Sequence, residues 1–356
     1  MTTTIGLDVG GAHMKVAVLE NGQLTGAHQF VCPLWQGLDK LDAALSEAQK
    51  LTADASTIAI TMTGELSDLF ETREQGVHAL VDRLQEEYGN KTKYWMGRRG
   101  FGKASEAKTY HKDVGSTNFI ATSMALAMYE QDAVLIDMGS TTTDIIPILD
   151  ATPLPTGLTD AQRLKTGELV YTGATRTPIM AVSSRVPFMG QWQTLVREHL
   201  ATMADIYRLL NELREGIDLH DTADGRGKSF DESLTRFARM MGRDREDLTE
   251  KSNNQNTRSP VWKAAAMFIA CEQARSIENG IYQVLSAHPK LNNPKIITAG
   301  IGSWIITRIA ANLGFKTTSF GERVGAVNSA SVEITQNAPA AAVALLIRHR
   351  KHRRAQ

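Results

Sequence analysis

Two short segments of the chain place an acidic residue, a glycine turn and further polar side chains in the same order. They are Asp8-Val-Gly-Gly-Ala-His-Met-Lys15 and Asp137-Met-Gly-Ser-Thr-Thr-Thr-Asp144, and each begins at the end of an apolar run. Glycine lets backbone N–H groups approach an anion closely, a lysine adds a compact positive charge, and a carboxylate can hold magnesium directly or through water. Taken alone, the first segment also fits an ordinary hairpin with an exposed lysine. The second copy favours two facing turns that clamp phosphoryl oxygens and a metal.

This arrangement predicts a role for each polar residue of the two turns. It matches neither the G-x-G-x-x-G pattern of a dinucleotide fold nor a Walker loop. We predict catalytic roles for Asp8, Lys15 and Asp137, and a Mg²⁺ site held by Asp8, Asp137 and Asp144. Contacts to phosphate are predicted for Gly10, Gly11, His13, Gly139, Ser140, Thr141 and Thr142.

Three further charged residues are candidates outside the turns. Glu65 follows the buried-strand pattern of residues 57–62 and is expected at the carboxyl edge of a sheet, where α/β proteins bind ligands. It is a candidate catalytic base, with a helix-start carboxylate as the alternative. Arg226 and Lys228 lie in a glycine-rich run and are predicted to bind phosphate or a carboxylate. A solvated loop is the alternative for both.

Other side chains near these motifs keep two interpretations open. His13 could donate to phosphate or act as the acid for a leaving group, or it could be a partly exposed hairpin histidine. Trp35 could stack on an aromatic substrate or pack in the core. Arg176, in a threonine-rich loop, could bind an anion or lie in solvent.

The elements that must position these residues occur in two similar series. In each, the apolar run and the returning segment predict a hairpin, and strands and helices follow in alternation. We therefore expect a first lobe over residues 1–131 and a second over 132–356, with a mostly helical insertion at about 156–289. Within the insertion, residues 191–214 are predicted to be helical. A final helix is expected over 338–350, with freedom to cross back to the first lobe.

The composition of the chain limits the cellular compartment and the classes of binding partner that we expect. The 356 residues carry 39 basic and 39 acidic side chains, so no overall field favours nucleic acid or a membrane surface. Two cysteines at no metal-ligand spacing suit a reducing compartment. Neither a basic–apolar leader nor an apolar run of about 18 residues is present. We expect a cytoplasmic protein that binds neither nucleic acid nor membrane and whose oligomeric state, homo-oligomer included, is open.

The paired turns and duplicated lobes resemble the actin-like superfamily of sugar kinases, heat-shock chaperones and actin. The resembling positions are Asp8, Gly10, Gly11 and Lys15 in its first phosphate segment, Asp137, Gly139, Ser140 and Thr141 in its second, and residues 299–302 at its nucleoside-side turn. Residues 139–145 are closer to the hydantoinase/oxoprolinase branch. The resemblance implies an α/β, actin-like ATPase (ribonuclease H-like) fold of duplicated lobes with a helical insertion in the second.

Within that branch the chain resembles a narrower family, the methanofuran-type cofactor synthases linked to tetrahydromethanopterin-dependent one-carbon metabolism. The resembling segments are residues 32–37, 61–68, 167–173 and 222–229, which are spread over both lobes and the insertion. The resemblance implies a transferase with two small-molecule substrates. It would couple an aminomethylfuran-methyl diphosphate to the phenol of a tyramine- or tyrosine-derived acceptor and release diphosphate.

One departure from the superfamily bears on the cofactor. The first turn has Ala12 and His13 where many kinases place hydroxyls that touch ATP phosphates. We therefore expect the phosphate in the cleft to belong to a substrate and not to ATP, with an ATP-dependent kinase or hydrolase of the same fold as the first alternative. A nucleotide-gated interaction module, like the chaperones and filament proteins, is the second alternative. The large insertion with its own basic loop favours an enzyme.

Overall fold

The first half of the chain forms a six-stranded sheet in the order β3-β2-β1-β4-β5-β6. The computed structural model describes residues 3–251 and 258–355. The elements of this half are β1 (Thr3–Val9), β2 (His13–Glu20), β3 (Gln23–Val31), α1 (Asp39–Thr52), β4 (Thr57–Met62), α2 (Arg73–Tyr88), β5 (Thr92–Trp95), β6 (Phe101–Gly102), α3 (Ala104–Thr109), α4 (His111–Val114) and α5 (Asn118–Leu126). Strand β4 is apolar and buried along its whole length because helices cover both faces of the sheet.

The second half forms another sheet, in the order β10-β8-β7-β15-β16, with β9 paired to β8 and with Leu169–Val170 as β10. Its framework elements are β7 (Ala133–Met138), β8 (Thr143–Leu149), β9 (Thr152–Pro153), β15 (Lys295–Ala299), α11 (Ser303–Asn312), β16 (Thr317–Ser319), α12 (Phe320–Arg323), α13 (Ser331–Gln336) and α14 (Ala338–Ala355). In each sheet an antiparallel hairpin, β1–β2 or β7–β8, is followed by parallel pairing of its first strand with a later one, β4 or β15. The repeated order is that of the actin-like ATPase fold, as predicted.

Helix α14 returns to the first sheet and packs on β1. It is rich in alanine, and a side chain at Gly6 would place its Cβ 1.8 Å from the carbonyl oxygen of Ala340, so only glycine allows this approach. The buried residues of α14 belong to a hydrophobic cluster that also includes residues of α5, β7 and β8. The two halves therefore share a core beneath the cleft between them.

The insertion in the second half is less helical than its composition predicts. It contains α6 (Asp160–Thr166), β10 (Leu169–Val170), α7 (Ile179–Val182), β11 (Arg185–Phe188), β12 (Gln191–Thr194), α8 (Met203–Leu209), α9 (Phe230–Met240), β13 (Thr249–Lys251), β14 (Arg258–Pro260) and α10 (Trp262–Ala287). The helix predicted over 191–214 is wrong, since β11 and β12 pair as a hairpin and only α8 is α-helical there. The turn puts Met189 and Gly190 at φ 48° and 77°, and methionine is not a residue that signals such a turn.

Among the described residues, no single helix is long and apolar enough to cross a membrane. One bent helix pair, over Asn328–Gln336 and Ala338–Arg350, meets the length and composition criteria with a bend of 108°.

Candidate active site between the two hairpins

The two predicted turns have the same backbone geometry. In the first, Asp8 at the end of β1 pairs with Lys15 on β2, and the N–H of Gly10 donates to the carbonyl of His13 at 2.9 Å. In the second, Asp137 pairs with Asp144 in the same register. The N–H of Gly139 donates to the carbonyl of Thr142, also at 2.9 Å. The repeat therefore places an aspartate at each strand end, with lysine as its cross-strand partner in one lobe and a second aspartate in the other.

Both turns face one cavity of about 630 Å³ between the lobes. Every turn residue predicted to act lines it: Asp8, Gly10, Gly11, His13, Lys15, Asp137, Gly139, Ser140, Thr141, Thr142 and Asp144. Its remaining polar lining includes Thr63, Ser67, Asp68, Ser116, Asn118, Asp160, Arg163, Tyr171 and Arg176. The fold thus brings together two segments that are more than 120 residues apart in the sequence.

The floor of the cavity is a compact charge cluster. Lys15 Nζ lies 3.2 Å from one carboxylate oxygen of Asp8, and the other, Oδ1, is buried without a hydrogen-bond partner. Burial raises the pKa of Asp8, against the lowering effect of Lys15. Burial also raises the pKa of Asp137, to about 7, and the nearby Asp144 and Asp8 add to this. Burial alone would lower the pKa of Lys15, but the three aspartates outweigh it and raise it.

Asp144 is held by an arginine that sequence reasoning missed. Arg163 Nη2 of α6 lies 2.5 Å from Asp144 Oδ1. The Arg163 guanidinium also stacks 3.6 Å from the ring centroid of Phe119, on α5 of the first lobe. Arg163 is 3% exposed, so it fixes Asp144 and links the lobes at the cavity floor. No local motif marks it, because the contacts with Asp144 and Phe119 are with distant parts of the chain.

The acidic cluster has the donor chemistry of a magnesium site. Three carboxylates face one ammonium, and the unpartnered Oδ1 of Asp8 is a vacant oxygen donor. Among the described residues, the three carboxylates do not bring one oxygen each within 4.8 Å of the others. They therefore form no all-protein cage. Mg²⁺ commonly binds through one or two carboxylates, water and substrate phosphates, and Asp8 with Asp137 fits that mode.

Arg176 is a cation without a carboxylate partner among the described residues. Its backbone N–H donates to Ser140 and its guanidinium to Thr141 Oγ1 at 3.3 Å, so it is attached to the second turn. The guanidinium lies 5.0 Å from the ring centroid of Trp35, across the cleft. Desolvation lowers the pKa of Arg176. A desolvated guanidinium that has no carboxylate partner among the described residues is suited to bind the anionic group of a ligand.

An aromatic wall continues from Arg176 toward the cleft mouth. His13 and His220 stack edge to face with centroids 4.2 Å apart, and Trp35 lies 6.1 Å from His220. Burial lowers the pKa of His13 to about 2 and that of His220 to about 4, with nearby cations contributing. Both imidazoles are therefore neutral at pH 7, and both Nε2 atoms are buried without a partner. His220, from the insertion, was not found by sequence reasoning.

Three predicted site residues do not line the cavity. Glu65 is 0% exposed and accepts a hydrogen bond from Ser116 at 2.7 Å, while Arg73 lies 3.7 Å away. Glu65 thus supports the Ser116 side of the cavity from behind. Arg226 is exposed, and Lys228 donates to the carbonyl of Asp218 at 2.6 Å. The predicted roles of Glu65, Arg226 and Lys228 toward substrate stay predictions.

The third glycine turn is buried beside the cavity floor. Gly300 has φ 79°, and a Cβ there would lie 2.2 Å from the Met138 carbonyl oxygen. The N–H of Gly302 donates to that same carbonyl at 2.9 Å. The turn packs against the end of β7 and does not line the cavity. It therefore positions Asp137 and Met138 from behind.

The chain is similar to known proteins in sequence and in structure. The sequence model of the hydantoinase/oxoprolinase family matches residues 56–336. A "(4-{4-[2-(gamma-L-glutamylamino)ethyl]phenoxymethyl}furan-2-yl)methanamine synthase" of Methanocaldococcus jannaschii is 35% identical over 243 residues, which cover 68% of this chain and 72% of that protein. A protein of the same name from Methanococcus vannielii is 36% identical over 112 residues, 32% of this chain and 50% of that one. A glucokinase structure from Streptomyces griseus aligns over 98% of this chain and 99% of its own, at 14% identity and a TM-score of 0.47. The chain belongs to the hydantoinase/oxoprolinase family, on the branch that contains these synthases.

Proposed function

We propose that this protein is a transferase that forms an aryl ether from a furan-methyl diphosphate and a phenol, with diphosphate as the leaving group. The observation that carries the proposal is the paired-turn cavity with its acidic cluster and unpaired arginine. The name of the M. jannaschii relative describes the product of such a coupling, a phenoxymethyl-furan amine.

The two turns supply the diphosphate site. The backbone N–H of Gly11 and the hydroxyls of Ser140 and Thr141 border the same cavity, while the N–H of Gly10 closes the first turn. Arg176, which has no carboxylate partner among the described residues, would pair with one phosphate, and Lys15, beside Asp8, would pair with the other. These groups stabilise the charge that develops on the leaving diphosphate, and they need little reorganisation because the hairpins already hold them.

Asp8 and Asp137 would hold Mg²⁺ at this site, and the ion would neutralise diphosphate charge. The elevated pKa of each carboxyl reflects the cost of burying its charge, and a bound cation offsets that cost. Because Asp144 is already paired with Arg163, we propose that it would contact Mg²⁺ only through a water molecule. Lys15 compensates part of the negative charge of Asp8 and Asp137 before substrate binds.

The bond changes need no protein nucleophile. The bond between the furan methylene carbon and the diphosphate oxygen breaks, and the electron pair leaves with diphosphate. The phenol oxygen forms a new bond to that carbon and loses its proton. A neutral imidazole can accept this proton, and His13, beside the first turn, is the candidate. A bound anion favours imidazolium, so the diphosphate raises the pKa of His13 from its low value.

The aromatic wall supplies the acceptor site. Trp35 is 40% exposed and lies between Arg176 and His220. A phenol stacked on Trp35 would have its oxygen near the diphosphate turns and its substituent near the cleft mouth. Tyr171, 67% exposed at the same cavity, offers a second aromatic surface. Stacking of this kind contributes about 0.5–1.5 kcal/mol beyond area burial.

The placement of the third glycine turn supports a substrate diphosphate over ATP. In the related-kinase interpretation, Gly300–Gly302 would face a nucleoside. Here these backbone groups pack on Met138. At the first turn the cavity is lined by Ala12 and His13, neither of which provides a hydroxyl for an ATP phosphate.

The experiment supplies 5-(aminomethyl)furan-3-ylmethyl diphosphate, γ-glutamyltyramine and Mg²⁺ without nucleotide. We expect equimolar diphosphate and ether, measured by a coupled phosphate assay and mass spectrometry. Product that forms only with ATP, with ADP in step, would contradict the proposal and favour the kinase alternative.

A further inference from the structure

A second group of metal-binding side chains lies on the first lobe, away from the cavity. Glu74 and His78 are one turn apart on α2, and His111 is the first residue of α4. Each offers one ligand atom, and the three atoms lie within 4.8 Å of one another. None of the three lines the cleft cavity. Among the described residues, this is the one group of three or more such side chains with that spacing.

The local contacts hold these side chains in a ligand-like arrangement. The Lys108 carbonyl accepts a hydrogen bond from His78 Nε2 at 3.1 Å, which leaves a lone pair on Nδ1 in that tautomer. Metal-binding histidines are commonly oriented by such a bond to a carbonyl. The His78 and His111 rings meet edge to face with centroids 6.2 Å apart, and His111 Nδ1 lies 3.9 Å from a Glu74 oxygen.

We propose that Glu74, His78 and His111 form a binding site for a transition-metal dication, with Zn²⁺ as the best fit. Two imidazoles and a carboxylate suit Zn²⁺, Co²⁺ or Ni²⁺, whereas Mg²⁺ prefers oxygen ligands. Three protein ligands leave a fourth position for water. The site joins the first turn of α2 to α4, so bound metal stabilises the first lobe. It is independent of the proposed coupling reaction.

The test is isothermal titration with ZnCl₂ in buffer that contains excess Mg²⁺, which occupies the cleft carboxylates. All proteins carry Cys271→Ser, because an exposed thiol such as Cys271 is a competing zinc ligand. We expect one zinc per chain. At free zinc about 100 times the dissociation constant, the melting midpoint should rise by about 3 °C. His78→Ala and His111→Ala should each weaken binding at least about tenfold, whereas His28→Ala, an exposed histidine on β3, should not.

Cobalt spectroscopy provides a second readout on the unaltered ligand set. Co²⁺ bound by two imidazoles and a carboxylate should give visible d–d bands that zinc removes. If the alanine variants unfold, His78→Gln and His111→Gln repeat the comparison with smaller volume changes. Absence of stoichiometric zinc binding would overturn the proposal, as would undiminished binding in the His111 variants.

Discussion

Replacing Asp137 with asparagine should make the protein more stable at alkaline pH and far less active. Burial raises the pKa of Asp137 from 3.8 to about 7, so the folded state holds its proton more tightly than the unfolded state does. The free-energy cost of burying the ionised Asp137 carboxylate is therefore absent below about pH 4. It grows as pH rises, and it is complete above the folded pKa. Asparagine keeps the shape of the side chain and never carries the charge.

The rise in the pKa of Asp137 from 3.8 to about 7 corresponds to a loss of about 4 kcal/mol in the free energy of unfolding above the folded pKa, if the whole shift applies. Asp137 borders a solvent-filled cleft and lies near Lys15, so we discount this to about 1–2 kcal/mol. For a chain of this length that is a rise of about 2 °C in the melting midpoint. In EDTA, the Asp137→Asn protein should melt higher than the parent at pH 8, and the difference should be smaller at pH 4.5, where only part of the cost is present. Its turnover should fall by two or more orders of magnitude, about 3 kcal/mol of transition-state stabilisation.

Differential scanning calorimetry at the two pH values and a diphosphate-release assay give both readouts. Asp54→Asn, at an exposed position, is the matched control and should change neither. A melting difference that is the same at pH 4.5 and pH 8 would refute the electrostatic reasoning. Near-normal activity with normal Mg²⁺ dependence would show that Asp137 is structural.

Three further variants separate the proposed roles. Asp8→Asn should also lower turnover by two or more orders of magnitude, since Asp8 Oδ1 is the unpartnered donor of the floor, and an unchanged Mg²⁺ titration would contradict this. Trp35→Ala should raise KM for the phenol about tenfold and leave KM for the diphosphate unchanged, with Trp192→Ala, an exposed tryptophan on β12, as control; equal effects on both substrates would remove the acceptor assignment. Arg226→Ala with Lys228→Ala tests the predicted loop contact, because a surface loop change costs little stability, and an unaltered KM for both substrates would end that prediction.

The hairpin residues could be predicted from the sequence because their contacts are local. Asp8 and Lys15 are seven residues apart, and the register of β1 and β2 follows from a tight glycine turn. The repeat of this pattern at Asp137 then indicated that the two turns face each other. Family resemblance supplied the reaction, which no spacing of residues could specify.

The missed residues depend on distant contacts. Arg163 and His220 come from the insertion and meet the first lobe at Phe119 and His13. Their sequence neighbourhoods carry no motif, so only the folded chain relates them to the site. Glu65 was predicted at the correct sheet edge, but the direction of its side chain, toward Ser116, is set by packing that a sequence pattern does not specify.

The most direct test of the central claim is the fate of the phenolic oxygen. The acceptor is synthesised with ¹⁸O in its phenol and incubated with the furan-methyl diphosphate and Mg²⁺. The account predicts that the label stays in the ether and that the released diphosphate carries none, because the phenol attacks carbon. Label on a phosphoryl product would contradict it, since the oxygen would then have attacked phosphorus as in a kinase reaction.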